Sequence, residues 1–194
     1  NGSDCVLRDG TSVSKKQISD KDFQKAYALS RQFGFPIAVE TDNGIFVNEL
    51  NPIVIELARL VDHPVPPVID IEKEFVEGKC CQLCFYCDEE TEKEVMAQLP
   101  NLSASRWHPI FADINVKGVD KASGIREFAS YYDFDISHTI AFGDGGNDIS
   151  MLREAGIGIA MGGAAESIRA VSDYVTDTVD NDGIRNALIH FGII

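Results

Sequence analysis

The sequence predicts an α/β fold, in which a parallel sheet with flanking helices is joined to a hairpin-rich α+β region. From Lys117 onward, short apolar strand patterns alternate with helical patterns, which is the order that parallel βαβ units require. Before Lys117, strand patterns lie in pairs around turn signals such as Asp42-Asn43-Gly44. The 194 residues, 44% of them hydrophobic, suffice for one large or two small domains.

Local signals predict each element of the first half. A turn at Asp9-Gly10 favours a hairpin near the start, and Ser19 is a candidate N-cap for a helix that ends near Phe33. Pro52 suits the first turn of a second helix. The other predicted elements are strands at residues 36–41, 44–47 and 79–86, a helix at 89–99, and paired strands at 102–107 and 110–116.

The second half repeats strand and helix. A helical stripe begins near Lys121 and a buried strand follows at residues 139–142. Beyond it the pattern predicts a helix that ends near Ala155, strands at 157–161 and 174–176, a helix at 164–171 and a final helix. This change of pattern divides the chain into a hairpin at residues 1–17, an α+β domain at 18–110 and an α/β part at 111–194.

The charge balance argues against nucleic acid as a partner. With 31 acidic and 17 basic residues, the formal net charge is -14, and so acidic a surface repels nucleic acid. No apolar run approaches the roughly 20 residues that span a bilayer, and no signal-peptide pattern opens the chain. We therefore expect a cytoplasmic protein that binds neither nucleic acid nor a membrane. The sequence leaves the oligomeric state open.

Four of the five cysteines, Cys80, Cys81, Cys84 and Cys87, lie in one short run. Similar spacings occur in zinc and iron–sulfur sites. On a strand, however, Cys81 and Cys84 would point to opposite faces, and no second pair of ligands is evident in the sequence. We favour free thiols that behave as small hydrophobic groups. Their odd number favours a reducing compartment.

The run Gly143-Asp144-Gly145-Gly146-Asn147-Asp148 carries the most chemical information. It follows a buried strand, and its glycines let the backbone approach a ligand closely. Carboxylates at the carboxyl end of a strand suit Mg²⁺ bound together with phosphate. An ordinary tight turn with an Asp N-cap is the alternative interpretation. An EF-hand is excluded, because Gly146 and Ile149 occupy positions that need a ligand and a glycine.

This run and several segments around it resemble a known superfamily. Residues 143–152 resemble the fourth motif of the haloacid dehalogenase-like hydrolases, and more narrowly of their Cof-type phosphatases. Residues 155–162, 170–176 and 182–184 are similar to the segments that follow this motif there. Gly118-Val119-Asp120-Lys121 resembles the third motif. The resemblance implies a Rossmann-like core and, at residues 18–110, an α+β cap.

The resemblance also implies a role for the polar residues of the two motifs. Asp144 would be a direct ligand of Mg²⁺, the implied cofactor. Asp148 would orient Asp144 or a metal-bound water, or would cap the next helix. Lys121 would neutralise the phosphate and the attacking carboxylate, and Asn147 would donate to a phosphate oxygen. The candidate catalytic residues are thus Lys121, Asp144 and Asp148, and the candidate phosphate ligands are Lys121 and Asn147.

Two motifs of these phosphatases are not found. Members begin with a strand that ends in Asp-x-Asp-Gly-Thr, whose first Asp attacks phosphorus, and a Ser/Thr motif follows. Asp9-Gly10-Thr11 lacks the second Asp at the required spacing, and we interpret it as the hairpin turn. The core is therefore expected to be incomplete, with the nucleophile in a segment missing from this chain.

The expected function is Mg²⁺-dependent hydrolysis of a small phosphorylated metabolite, such as a sugar phosphate, through an aspartyl-phosphate. A phosphomutase or a fragment of a P-type ATPase would use similar chemistry, although the ATPase predicts membrane spans. A non-catalytic binding module that retains the fold is the remaining alternative.

We predict that residues 1–194 alone are inactive. Enzymes lower the barrier to phosphate monoester hydrolysis by on the order of 20 kcal/mol, which a site without its nucleophile does not supply. The purified chain should release no phosphate from sugar phosphates in the presence of Mg²⁺. Turnover that chelation of the metal abolishes would contradict this prediction.

Overall fold

The computed structural model describes residues 1–77 and 79–194. By its internal contacts the chain divides into two compact units. The first unit comprises Asn1–Ser14 and Val119–Ile194, and the second comprises Lys15–Gly118. Both contain helices and strands, and the first contains a parallel sheet. The α/β class predicted from the sequence is thereby confirmed.

The strands are β1 Asp4–Val6, β2 Ser12–Lys15, β3 Ile37–Thr41, β4 Gly44–Val47, β5 Gln82–Phe85, β6 Leu102–His108, β7 Phe111–Val116, β8 Ile140–Gly143, β9 Ile157–Ala160 and β10 Tyr174–Val175. The α-helices are α1 Asp20–Phe33, α2 Pro52–Leu60, α3 Ile71–Glu77, α4 Glu89–Met96, α5 Lys121–Tyr132, α6 Ile149–Glu154, α7 Glu166–Arg169 and α8 Gly183–His190. Short 3₁₀ turns lie at Ile136–His138, Gly146–Asp148 and Val179–Asn181. No helix in the described ranges is long and apolar enough to cross a bilayer.

The first unit is built on a parallel three-stranded sheet in the order β10-β9-β8. Its core contains Ala141 of β8, Ala160 of β9 and Leu152 of α6. Gly158 brings β9 against the helix, because a Cβ at this position would lie 2.0 Å from the carbonyl oxygen of Leu152. The backbone of α6 therefore lies directly against the sheet, and its first residue follows the glycine-rich loop.

The hairpin of the first unit packs against α5. Strands β1 and β2 form a two-stranded sheet, and Asp9-Gly10 lies in the turn between them, as predicted. The thiol of Cys5 lies 3.8 Å from the carbonyl oxygen of Gly124. A Cβ on Gly124 would lie 3.1 Å from the Cα of Gly2. Small residues thus hold the hairpin close to the helix.

The second unit is an antiparallel five-stranded sheet in the order β4-β3-β5-β7-β6. A large apolar core on one face includes Phe23 of α1, Phe75 of α3 and Val95 of α4. On the other face, Val54 and Leu57 of α2 pack in a smaller cluster. Both faces of the sheet are therefore at least partly covered by helices.

The limits of the two units differ from the sequence-based division. That division placed residues 111–118 with the α/β part and extended the hairpin to residue 17. In the structure β7 pairs with β5 and β6, so the second unit extends from Lys15 to Gly118. A strand pattern predicts a strand but does not specify its partner, which explains the shift.

The cysteine run falls on both faces of the sheet. Cys80 and Cys87 belong to the larger core, whereas Cys84 belongs to the smaller one. Burial raises the pKa of the Cys80 thiol to about 12 and that of Cys87 to about 11. All five cysteines carry thiols rather than disulfides. In the described ranges, no three His, Cys, Asp or Glu side chains converge on a possible metal site.

We predict that Gly158→Ala destabilises the first unit, because the new methyl group overlaps the Leu152 carbonyl. Such overpacking typically costs about 1–3 kcal/mol. Gly163→Ala is the matched control, since a Cβ there meets no atom within 4 Å. Urea unfolding followed by circular dichroism measures both. Equal free energies of unfolding for the two variants would show that α6 can move away from β9 at little cost.

Candidate active site

The glycine-rich loop leaves the carboxyl end of β8, where ligands bind in open parallel sheets. Asp144 is the first residue after the strand and is exposed. Its carboxylate makes no hydrogen bond or ion pair within the part of the chain that the structure describes. The loop then forms the 3₁₀ turn Gly146–Asp148 and continues into α6.

The side chain of Asp148 fixes the backbone of this loop through hydrogen bonds. It is only 5% exposed, and its Oδ2 accepts hydrogen bonds from the backbone N–H of Asp144 at 3.0 Å and of Gly145 at 2.9 Å. Its side chain makes no capping hydrogen bond to α6. The carboxylate therefore reaches back to the residue that carries the exposed acid, rather than capping the following helix.

Gly143 makes this arrangement possible. A Cβ at this position would lie 2.5 Å from the Cβ of Asp148, a distance that real side chains do not adopt. The absence of a side chain lets Asp148 pack directly against the end of β8. Position 143 therefore requires glycine, because any side chain there would overlap that of Asp148.

Lys121 reaches the same carboxylate from another element. It is the first residue of α5, whose start is fixed by a capping box between Asp120 and Ser123. The ammonium group of Lys121 forms an ion pair with Oδ1 of Asp148, and its side chain is one-third exposed. The Lys121 side chain is therefore partly accessible to solvent.

Opposing effects set the pKa of Asp148. Burial alone would raise this pKa, but the hydrogen bond from Lys121 and the two backbone N–H groups outweigh burial. The pKa consequently lies below its ordinary value of 3.8. Asp148 is a carboxylate at neutral pH and holds Lys121 as its counter-ion.

Asn147 lies at the edge of this network. Its amide Nδ2 donates to Oδ1 of Asn1 at 3.2 Å. A Cβ on Gly145 would lie 2.8 Å from Oδ1 of Asn147, so the amide oxygen lies over the loop backbone. One amide proton of Nδ2 bonds Asn1, and the second is the one that could reach a phosphate oxygen.

The structure thus brings together the residues singled out in the sequence. Asp148 contacts both Lys121 and the backbone of Asp144, and Asn147 lies in the same loop. No local sequence pattern singles out Asn1, whose partner is 146 residues away. A signal for Gly143 was present, since the glycine directly follows an apolar strand.

The donor set fits a magnesium ion. Mg²⁺ typically takes one or two carboxylates and keeps several waters or phosphate oxygens in its shell. Asp144 offers one exposed carboxylate, whereas both oxygens of Asp148 are occupied by Lys121 and the loop backbone. Asp144 is accordingly the residue that would hold the ion.

We predict that Asp148→Asn lowers the stability of the first unit by about 2 kcal/mol, the scale of hydrogen bonds to a buried charge. The exposed Asp180→Asn serves as the control. Because the folded pKa of Asp148 is lowered, its contribution is complete above the unfolded pKa and is lost as the pH falls through the folded value. The difference between wild type and variant, measured by urea unfolding, should therefore shrink at a pH below 3.8. A difference that grows on acidification would contradict the assigned ion pair.

Comparisons with known proteins agree on one family. A family model described as haloacid dehalogenase-like hydrolase matches residues 1–188. The solved structure of BT1666 from Bacteroides thetaiotaomicron, described among phosphatases of this superfamily, is 56% identical, with a TM-score of 0.93. It is matched over 100% of this chain and 72% of its own. BT4131, described as a subclass IIB sugar phosphatase, is 36% identical with a TM-score of 0.91, over 100% of this chain and 74% of its own.

Curated relatives match over shorter segments. YcsE of Bacillus subtilis (strain 168), a 5-amino-6-(5-phospho-D-ribitylamino)uracil phosphatase, is 33% identical over 107 residues, which are 54% of this chain and 43% of that protein. YkrA of the same organism is 40% identical over 121 residues, which are 62% of this chain and 47% of that protein. The chain thus spans about half the length of these two relatives. By its match over residues 1–188, the chain belongs to the haloacid dehalogenase-like hydrolases.

Proposed function

We propose that the protein is a Mg²⁺-dependent phosphatase that hydrolyses small phosphorylated metabolites. The observation that carries this proposal is the network in which Asp148 joins Lys121 to the loop of Asp144. It connects the backbone of the exposed Asp144, at the end of a parallel strand, to Lys121, whose side chain is one-third exposed. On so acidic a protein, a phosphate site needs local positive charge, from a metal ion or a cationic side chain, to offset the overall negative charge.

Lys121 and Asn147 would bind the phosphoryl group. The ammonium charge would stabilise the negative charge that spreads over the equatorial oxygens during phosphoryl transfer. Asn147 would donate its second amide proton to one of these oxygens. Asp148 would take no part in bond making, since its oxygens hold Lys121 and the loop backbone in place.

Asp144 would hold the Mg²⁺ ion. When bound, the ion polarises phosphoryl oxygens and orients the substrate. The carboxylate needs no rearrangement for this, because it is exposed while its backbone is fixed by Asp148. The attacking aspartate that the resemblance implies belongs to an Asp-x-Asp-Gly-Thr motif, so we assign it to no residue in positions 1–194.

The two units would have separate tasks. We propose that the first is the catalytic core and that the second, an antiparallel sheet with helices, is the cap that selects the leaving group. Relatives described as acting on sugar phosphates or on a phosphorylated ribitylamino-uracil support a small phosphorylated metabolite as substrate. A phosphomutase and a non-catalytic binding module remain the competing functions.

The test is a phosphate-release assay on the protein expressed from its complete gene, over a set of sugar phosphates with Mg²⁺. We predict that Asp144→Asn lowers kcat/KM by at least roughly 100-fold, because metal ions supply several kcal/mol of transition-state stabilisation. Stability should change little, since Asp144 is exposed and its side chain is unpaired in the described residues.

The exposed Asp180→Asn, in the same unit, is the matched control and should retain activity. Isomerised phosphate esters without phosphate release would identify a mutase. No turnover of any ester by the wild type would favour the binding module, and full activity of Asp144→Asn would refute the assigned metal ligand.

A further inference from the structure

One face of the sheet in the second unit carries a row of polar side chains. Glu40 of β3 and Gln82 of β5 are direct cross-strand partners, and Asp113 of β7 lies opposite Cys84, two residues further along β5. The Nε2 of Gln82 donates to Oε2 of Glu40 at 3.0 Å and to Oδ1 of Asp113 at 2.9 Å. A single amide nitrogen thus bridges two carboxylates.

Packing alone does not explain this row. Asp113 is only 6% exposed, and burying a charged group costs free energy that an apolar residue on a strand would avoid. Burial and the nearby charge of Asp113 raise the pKa of Glu40. The fold therefore keeps two carboxylates close together on one face of the sheet, bridged by Gln82.

The row forms one wall of a cavity of about 230 Å³ within the second unit. Aromatic rings of Tyr86, Trp107 and Phe111 also line it. The ring of Phe111 lies 5.3 Å from that of Tyr86 and 5.1 Å from that of Trp107, centroid to centroid. At about 30 Å³ per water, this space equals about eight water molecules, enough for a small organic group.

The lining selects the chemistry of the occupant. Ionised carboxylates only accept hydrogen bonds, and each has about four lone-pair sites, so the occupant must supply donors. Aromatic rings pack against carbon skeletons and attract cations to their faces. Two nearby negative charges repel an anion such as phosphate. These requirements are met by a hydroxyl-rich or amine-bearing organic group.

We propose that this cavity binds the donor-bearing part of a small organic molecule, through hydroxyl or ammonium groups directed at Glu40 and Asp113, and that it rejects free phosphate. The proposal rests on the role proposed above for the second unit, the selection of the leaving group, and its test measures binding without turnover, so that its failure is distinguishable from a failure of the phosphatase activity.

Binding in the cavity can be followed by fluorescence, because Trp107 lines the cavity. It is the single tryptophan of the chain and is 37% exposed. The tryptophan fluorescence of residues 1–194 would be titrated separately with D-sorbitol, with 1,4-diaminobutane and with inorganic phosphate. A saturable change with sorbitol or the diamine, and none with phosphate, is expected. Saturation by sorbitol would identify a site that recognises hydroxyl groups, and saturation by the diamine would identify one that recognises ammonium groups.

Glu40→Gln should weaken this binding by roughly tenfold, the scale of one hydrogen bond to a charged group. Glu56→Gln, an exposed position on α2 outside the cavity, should leave it unchanged. Should Glu40→Gln fail to fold by circular dichroism, Asp113→Asn replaces it. Saturation by phosphate, saturation by neither organic compound, or unchanged affinity in a folded Glu40→Gln variant would overturn the proposal.

Discussion

The candidate site depends on one buried carboxylate. Asp148 accepts hydrogen bonds from two backbone N–H groups of its own loop and pairs with Lys121, which begins a helix 27 residues earlier in the chain. A buried charge is tolerated only when it is paired and hydrogen-bonded. The same bonds that stabilise Asp148 therefore fix the direction in which Asp144 leaves the strand.

Glycines make the surrounding backbone compatible with this carboxylate. Gly143 leaves room for the side chain of Asp148, and Gly158 lets the α6 backbone lie against β9. The helix that starts next to Asp148 is consequently held close to the sheet that carries Asp144. Fold and site share one constraint here, which is close contact between backbone segments without intervening side chains.

Local signals in the sequence predicted much of this structure. The N-cap Ser19, Pro52 in the first turn of α2, the hairpin turn and the Gly-rich loop after an apolar strand all lie where local chemistry places them. Helix α3 was not predicted, because its seven residues follow a Pro-rich connector and carry little periodicity. The contact between Asn1 and Asn147 and the polar row beside Gln82 join distant segments, which no local pattern specifies.

The central claim is that the loop held by Asp148 presents Asp144 to a divalent cation. Mn²⁺ can substitute for Mg²⁺ as a paramagnetic probe, and amide NMR signals of residues 1–194 report its position by line broadening. We expect the broadening to begin at residues 143–148 and to disappear in Asp144→Asn. Broadening spread over the acidic surface, or unchanged in that variant, would contradict it.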